Sequence, residues 1–233
     1  MQKKVYNLIK LIILLVIFFN IGKIFSCFFV KLGFDLNTFS YKDTAFADTL
    51  IELCLTIIVI IFYYRKFIID WDAFKKNLKL NWQECLKNFI LLFIVKIGAS
   101  ILTSIICLII GIEFAESDNQ KIVELLIHNA PIMMLISSVI LAPIVEEGIF
   151  RLGFKKVINN KKIFIIVSGL VFGLMHVFPV ETSLALAVVQ SIIYVSLGIT
   201  LAYMYKRKNN IYFVIIPHAL NNLFGLLAAL ILV

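Results

Sequence analysis

An all-α bundle of membrane-spanning helices is the fold class this sequence predicts, and three observations carry it. Hydrophobic residues make up 62% of the 233-residue chain and charged residues only 15%, against roughly 45–50% and about 25% in soluble domains. Mean hydropathy is +1.02. The apolar residues fall into long runs separated by short clusters of lysine and arginine, as a bilayer requires. The length suits a single integral-membrane domain, 1–233, with about seven spans and room for an eighth. No repeat, low-complexity tract or linker marks a second domain.

The runs cover roughly 6–30, 47–64, 88–112, 127–154, 163–179, 183–205 and 211–233. The first follows Lys3 and Lys4 and reads LIKLIILLVIFF. It is long for a signal peptide and lacks a small-residue cleavage pattern, so an uncleaved first span is expected. Arg65 to Lys87 is the longest polar connection. Its Trp71, Phe74, Leu78, Leu80 and Trp82 stand among lysines, which suits an interfacial amphipathic helix better than an eighth span.

Charge sets the expected orientation. The N-terminal tip, the Arg65–Lys87 tract, the loop with Lys155, Lys156, Lys161 and Lys162, and the KRKNN loop are basic. The segments holding Asp35, Asp43 and Asp48, then Glu113, Glu116, Asp118 and Glu124, then Glu181, are not. This alternation places the N-terminus in the cytoplasm. The same distribution argues against a nucleic-acid partner, despite the net charge of +8: the cations are scattered between spans and do not gather on one polar surface. The four cysteines, Cys27, Cys54, Cys85 and Cys107, show no C-x-x-C pair and read as packing residues.

A few polar residues lie where lipid-facing side chains are expected. The fourth span contains APIVEEGIFRLGF, with Glu146, Glu147 and Arg151. On a helix Glu147 and Arg151 are i,i+4 neighbours, while Glu146 points about 100° away. One Glu and one Arg would make a structural ion pair. A second, adjacent carboxylate is harder to explain that way, because the two cannot both ionise cheaply, and such a carboxyl group suits general acid–base chemistry. Pro143, one turn earlier, loosens the backbone. The fifth span holds Phe172 and His176 at i,i+4, with Gly169 and Gly173 spaced for close approach of another helix. The seventh holds Pro217, His218, Asn221 and Asn222. Each histidine alone is more simply a hydrogen-bonded core residue. Together, polar groups on the fourth, fifth and seventh spans fit one hydrated cavity. His128 reads as interfacial, and Lys96 has no assigned role.

In this order the residues resemble the CPBP intramembrane proteases, also called the Abi or type II CAAX-prenyl endopeptidase family. Their motifs E-E-x-x-x-R, F-x-x-x-H and H-x-x-x-N correspond to Glu146-Glu147 with Arg151, Phe172 with His176, and His218 with Asn222. The match covers about 120–233, the expected protease core. The resemblance implies hydrolysis of a peptide bond in a membrane-associated protein or peptide, and the many Lys, Ile, Asn and Phe residues suggest a bacterial member in the plasma membrane. It makes Glu146 or Glu147 the general base on a water, His176 a residue that positions it, and His218 and Asn222 the oxyanion donors. Arg151 holds a carboxylate, and Phe172 is a weak candidate for substrate contact. The family is often labelled metallo-endopeptidase. A zinc ion would have Glu147, His176 and His218 as ligands, but H-E-x-x-H is absent, and metal-independent glutamate chemistry is favoured. Two other readings stay open on the sequence: a non-catalytic bacteriocin-immunity or scaffold protein, and a proton-coupled transporter.

Counting 1.5 Å per residue from the basic loops places Glu147 and His218 at similar depths and His176 deeper. The shared site therefore depends on an irregular or tilted fifth helix, or on a longer loop beside it.

Overall fold

A computed structural model describes residues 2–113, 118–178 and 184–232. Glu116 and Glu181, used in the charge reading, lie outside them. Among the described residues there is no β-strand. The chain is a polytopic helix bundle made of α1 (Gln2–Lys31), α2 (Tyr41–Lys75), α3 (Leu78–Ile110), α4 (Asp118–Asn129), α5 (Pro131–Val157), α6 (Lys161–Met175), α7 (Leu184–Lys208) and α8 (Tyr212–Leu232).

Six of these, α1, α2, α3, α5, α7 and α8, are long and apolar enough to cross a membrane. The fifth apolar run differs from expectation. Its helix, α6, has 15 residues, about 22 Å at 1.5 Å per residue, against a hydrocarbon core of about 30 Å. It stops at Met175, where the His176 N–H bonds the carbonyls of Gly173 and Leu174 in a tightened last turn.

The Arg65–Lys87 tract is neither a separate interfacial helix nor an eighth span. α2 continues through it to Lys75, and α3 begins at Leu78. α2 also starts earlier than its apolar run. Ser40 accepts from the Asp43 N–H while the Asp43 carboxylate takes the Ser40 N–H, a capping box. Inside α2 the backbone leaves helical geometry at Tyr63 (φ −126°, ψ 16°). There the Lys10 ammonium of α1 donates to the Phe62 carbonyl and lies 4.6 Å from the Tyr63 ring centre.

The basic connections gather at one end of the bundle. Asn7 reaches the Lys156 carbonyl at 3.4 Å, Lys66 donates to the Asn209 carbonyl at 2.9 Å, and Glu84 bonds Arg207 and lies 3.5 Å from Lys208. Asp70, 3% exposed, accepts the Ile211 N–H at 2.8 Å, while its carbonyl takes the Asn210 amide at 2.7 Å. That latch fixes the start of α8, the helix that carries His218.

The tightest helix contact joins α6 to α7. A Cβ built on Gly173 would lie 2.4 Å from the Val195 backbone. One on Gly169 would lie 2.6 Å from the Ile199 backbone, and one on Gly198 would lie 2.5 Å from the Gly169 carbonyl. Small residues here let the two backbones touch, as the spacing of Gly169 and Gly173 suggests. Gly173→Ala is expected to cost about 1–3 kcal/mol by overpacking, read as a lower midpoint of thermal unfolding in detergent. Gly225→Ala is the control, because its Cβ would meet nothing within 4 Å. Equal midpoints for the two variants would refute the tight contact.

Candidate active site

α5 delivers both carboxylates through an irregular backbone. Its regular stretch Ala142–Glu147 is flanked by π-helical segments, Leu135–Leu141 and Gly148–Gly153, of a kind frequent at functional sites. Pro143 accounts for one consequence. The Ala142 N–H bonds back five residues to the Ser137 carbonyl. In that register the donor for the Ser138 carbonyl belongs to position 143, and proline has none. The Asn222 amide of α8 supplies it, 2.8 Å away. Pro217 in α8 repeats the pattern. It has no N–H for the Phe213 carbonyl four residues earlier, and Asn88 of α3 donates to that oxygen at 3.0 Å.

Glu147 and Arg151 are both fully buried. The Arg151 Nε lies 2.9 Å from Glu147 Oε2. A second guanidinium nitrogen donates to Ser168 Oγ at 2.8 Å, and Ser168 in turn donates to the Phe150 carbonyl at 2.7 Å. The Phe172 ring covers the guanidinium, 4.8 Å from its centre. Arg151 is thereby neutralised, hydrogen-bonded and stacked, as a buried cation requires.

The remaining groups converge on Glu146. His218 Nδ1 donates to Glu147 Oε1 at 3.0 Å, and its Nε2 lies 3.6 Å from Glu146 Oε2. His176 Nδ1 lies 2.9 Å from the Phe172 carbonyl. A carbonyl only accepts, so Nδ1 carries the proton and Nε2 is left with its lone pair. That Nε2 faces Glu146 Oε1 at 3.9 Å. The depth problem resolves at the helix end. His176 is the first residue past α6, and its ring folds back toward Phe172, one turn closer to the start of the helix.

Five predicted residues, Glu146, Glu147, Arg151, His176 and His218, therefore share one cluster. Asn222 lies one turn along α8 from His218, bound to α5. Phe172 is 3% exposed, and its ring meets Arg151, His176 and His218. His128 is exposed at the end of α4, and Lys96 is half-buried in α3, neither with a described contact to the cluster. Among the described residues no three His, Cys, Asp or Glu side chains are grouped to hold a metal ion. Glu147, first of the suggested zinc ligands, is occupied by Arg151 and His218.

Sequence reading missed several participants. Ser168 and Asn88 are ordinary polar residues whose partners appear only on folding. Glu52 left a clearer trace, as a carboxylate within the second apolar run. It sits in α2 close enough to feel the charge of Glu146 and of Asp48, and one of its carboxyl oxygens is buried without a hydrogen-bond partner.

The proline argument predicts coupling. Asn222→Ala alone leaves the Ser138 carbonyl without a donor, a loss of about 1–3 kcal/mol. In a Pro143→Ala background the backbone N–H returns, and the same substitution should cost much less. A thermal-stability double-mutant cycle measures the difference, and strict additivity would contradict the assignment.

Residues 128–224 match the family model described as "Type II CAAX prenyl endopeptidase Rce1-like", a segment that includes Glu146, Glu147, Arg151, Phe172, His176, His218 and Asn222. The "Putative membrane peptidase YdiL" of Bacillus subtilis (strain 168) is 29% identical over 112 residues, 47% of this chain and 42% of that protein. Two Lactococcus lactis subsp. lactis (strain IL1403) proteins are also similar. "UPF0177 protein YvdC" is 30% identical over 161 residues, 66% of this chain and 57% of that protein. "UPF0177 protein YajF" is 29% identical over 149 residues, 60% of this chain and 66% of that protein. The matched part thus spans less than two thirds of each relative. No solved structure matches the chain. The motif-bearing part of this integral membrane protein, residues 128–224, is thus similar to the Rce1-like domain of type II CAAX prenyl endopeptidases.

Proposed function

We propose that this protein is an intramembrane endopeptidase that hydrolyses a peptide bond of a membrane-associated protein or peptide, with Glu146 as general base. One observation carries the reading. Glu146 Oε1 and the lone-pair nitrogen of His176 face each other at 3.9 Å, too far for a direct hydrogen bond. A water about 2.8 Å from each fits between them with one O–H aimed at either acceptor. Its oxygen lone pair is then free to attack a carbonyl carbon.

The two carboxylates divide the work. Glu147 is tied to Arg151 and holds His218 through Nδ1. Glu146, whose side chain is 14% exposed and has an oxygen without a hydrogen-bond partner, accepts the proton from the water. As the water oxygen bonds to the carbonyl carbon, negative charge collects on the carbonyl oxygen, where His218 and Asn222 donate to it. Donation from His218 Nε2 needs a proton there as well as on Nδ1, and the flanking carboxylates balance the imidazolium charge. Glu146 then returns its proton to the leaving amine as the C–N bond breaks. Phe172 holds the two imidazoles and Arg151 in place.

The zinc set of Glu147, His176 and His218 fits poorly, because coordination would compete with Arg151 for Glu147. No step is assigned to a metal. The basic connections gathered at one end support a cytoplasmic N-terminus by the positive-inside rule, and the bacterial relatives support a bacterial plasma membrane as the setting.

The test compares peptides released from membranes holding the wild-type chain with those holding Glu146→Gln, at matched expression, with a prenylated CAAX peptide added in parallel. Release is expected to fall on the order of 10²–10⁴-fold, with the variant still inserted. Unchanged peptide profiles would reject the protease reading. A zinc chelator is expected to leave the rate unaltered, and inhibition reversed by added zinc would restore the metal set.

A further inference from the structure

The catalytic reading asks the His176 ring to keep one orientation just past the last residue of a short helix. Its Nδ1–H bond to the Phe172 carbonyl fixes one ring atom and leaves the ring plane free to swing about it. Two aromatic contacts remove that freedom. The Phe172 ring lies 4.8 Å away, tilted at 46°. The Tyr194 ring of α7 lies 5.1 Å away and only 12° from parallel, a stacked arrangement that defines the plane.

Tyr194 is delivered by the close backbone contact between α6 and α7. Its neighbour Val195 is the residue whose backbone meets Gly173, and Gly173 is three residues before His176. The small side of α6 and the stack are therefore adjacent parts of one contact. Gly173 packed against Val195 brings the adjacent Tyr194 to the end of α6, where its ring stacks on the imidazole.

We infer that Tyr194 is a positioning residue for His176, its ring face holding the imidazole plane so that the lone pair of Nε2 points at Glu146. The inference rests on the proposed reaction for its consequence in catalysis, and on geometry alone for the stack.

Histidine-labelled protein in detergent micelles tests both levels. The chain has three histidines, so three imidazole spin systems are expected, assigned by single His→Gln variants. The His176 ring protons should lie upfield through the ring current of Tyr194, with nitrogen shifts of the Nδ1–H tautomer. Tyr194→Leu should move them downfield and leave exposed His128 unchanged. Tyr194→Phe should keep the wild-type shifts. Should the leucine variant not fold, Tyr194→Met replaces it. An unshifted His176 in the non-aromatic variant would overturn the stack, whatever the enzyme does.

Peptide release then reads the consequence at equal amounts of folded protein. The leucine variant should be slower by about tenfold, the scale of a lost aromatic pair, with the phenylalanine variant close to wild type. Equal losses in both would assign the effect to the hydroxyl and overturn the positioning role. If the wild-type chain releases no peptide that Glu146→Gln fails to release, the protease reading fails, while the spectroscopic result stands or falls separately.

Discussion

A helix that breaks inside a bilayer must find new donors for the carbonyls it frees, because no bulk water is at hand to supply them. This constraint organises the molecule. Three carbonyls at proline or kink positions bond to a side chain from a different helix: Phe62 to Lys10, Ser138 to Asn222 and Phe213 to Asn88. Each replacement bond ties two helices at a defined height. Two of the three lie on α5 and α8, the helices that bring Glu146, Glu147 and His218 together. The irregularity that brings the carboxylates and His218 together is thus also what cross-links their supports.

The second requirement is electrostatic. A fully buried Arg–carboxylate pair costs desolvation that Coulomb attraction alone does not reliably recover, and removing one member typically costs about 3–5 kcal/mol. Arg151 meets this with several partners at once, among them Glu147, Ser168 and the Phe172 ring. With Glu147 committed to Arg151 and His218, the adjacent Glu146 is left facing the two imidazole Nε2 atoms. Neighbouring residues of one chemical type so acquire different roles through their surroundings, the general way in which a pair of acids is specialised.

Much of this was legible in the sequence. Long apolar runs gave the helices. The i,i+4 spacing of Glu147 with Arg151 anticipated the ion pair, and that of Gly169 with Gly173 anticipated the close approach of α7. What the sequence hid falls into two kinds. Periodicity counts residues but not where a helix stops, so a run of about the right length concealed the end of α6 at Met175 and made His176 look too deep. The polar stretch 65–87 resembled a surface segment because its lysines were weighed more heavily than the helical continuity of α2 and α3. Partners such as Ser168, Asn88 and Tyr194 have no local pattern to announce them, since their roles exist only across helices. Glu52 was the exception: an acidic residue in an apolar run is a signal in itself.

The short helix and the chemistry explain one another. Hydrolysis needs water, and a site lined only by continuous spanning helices would have to admit it between lipid-facing surfaces. A helix of 15 residues ends before it has crossed, and its last carbonyls need hydrogen bonds that a closed apolar core does not offer. His176 takes up part of that demand. Its own N–H caps the last turn, and its ring binds the Phe172 carbonyl one turn back. The same two contacts leave Nε2 as the ring's available acceptor, facing Glu146 Oε1 at 3.9 Å. A water there would join two acceptors, each otherwise lacking a donor at that position, inside a wall of apolar and aromatic side chains. In the proposed reaction, the end of the helix puts a polar demand and the attacking water at the same point.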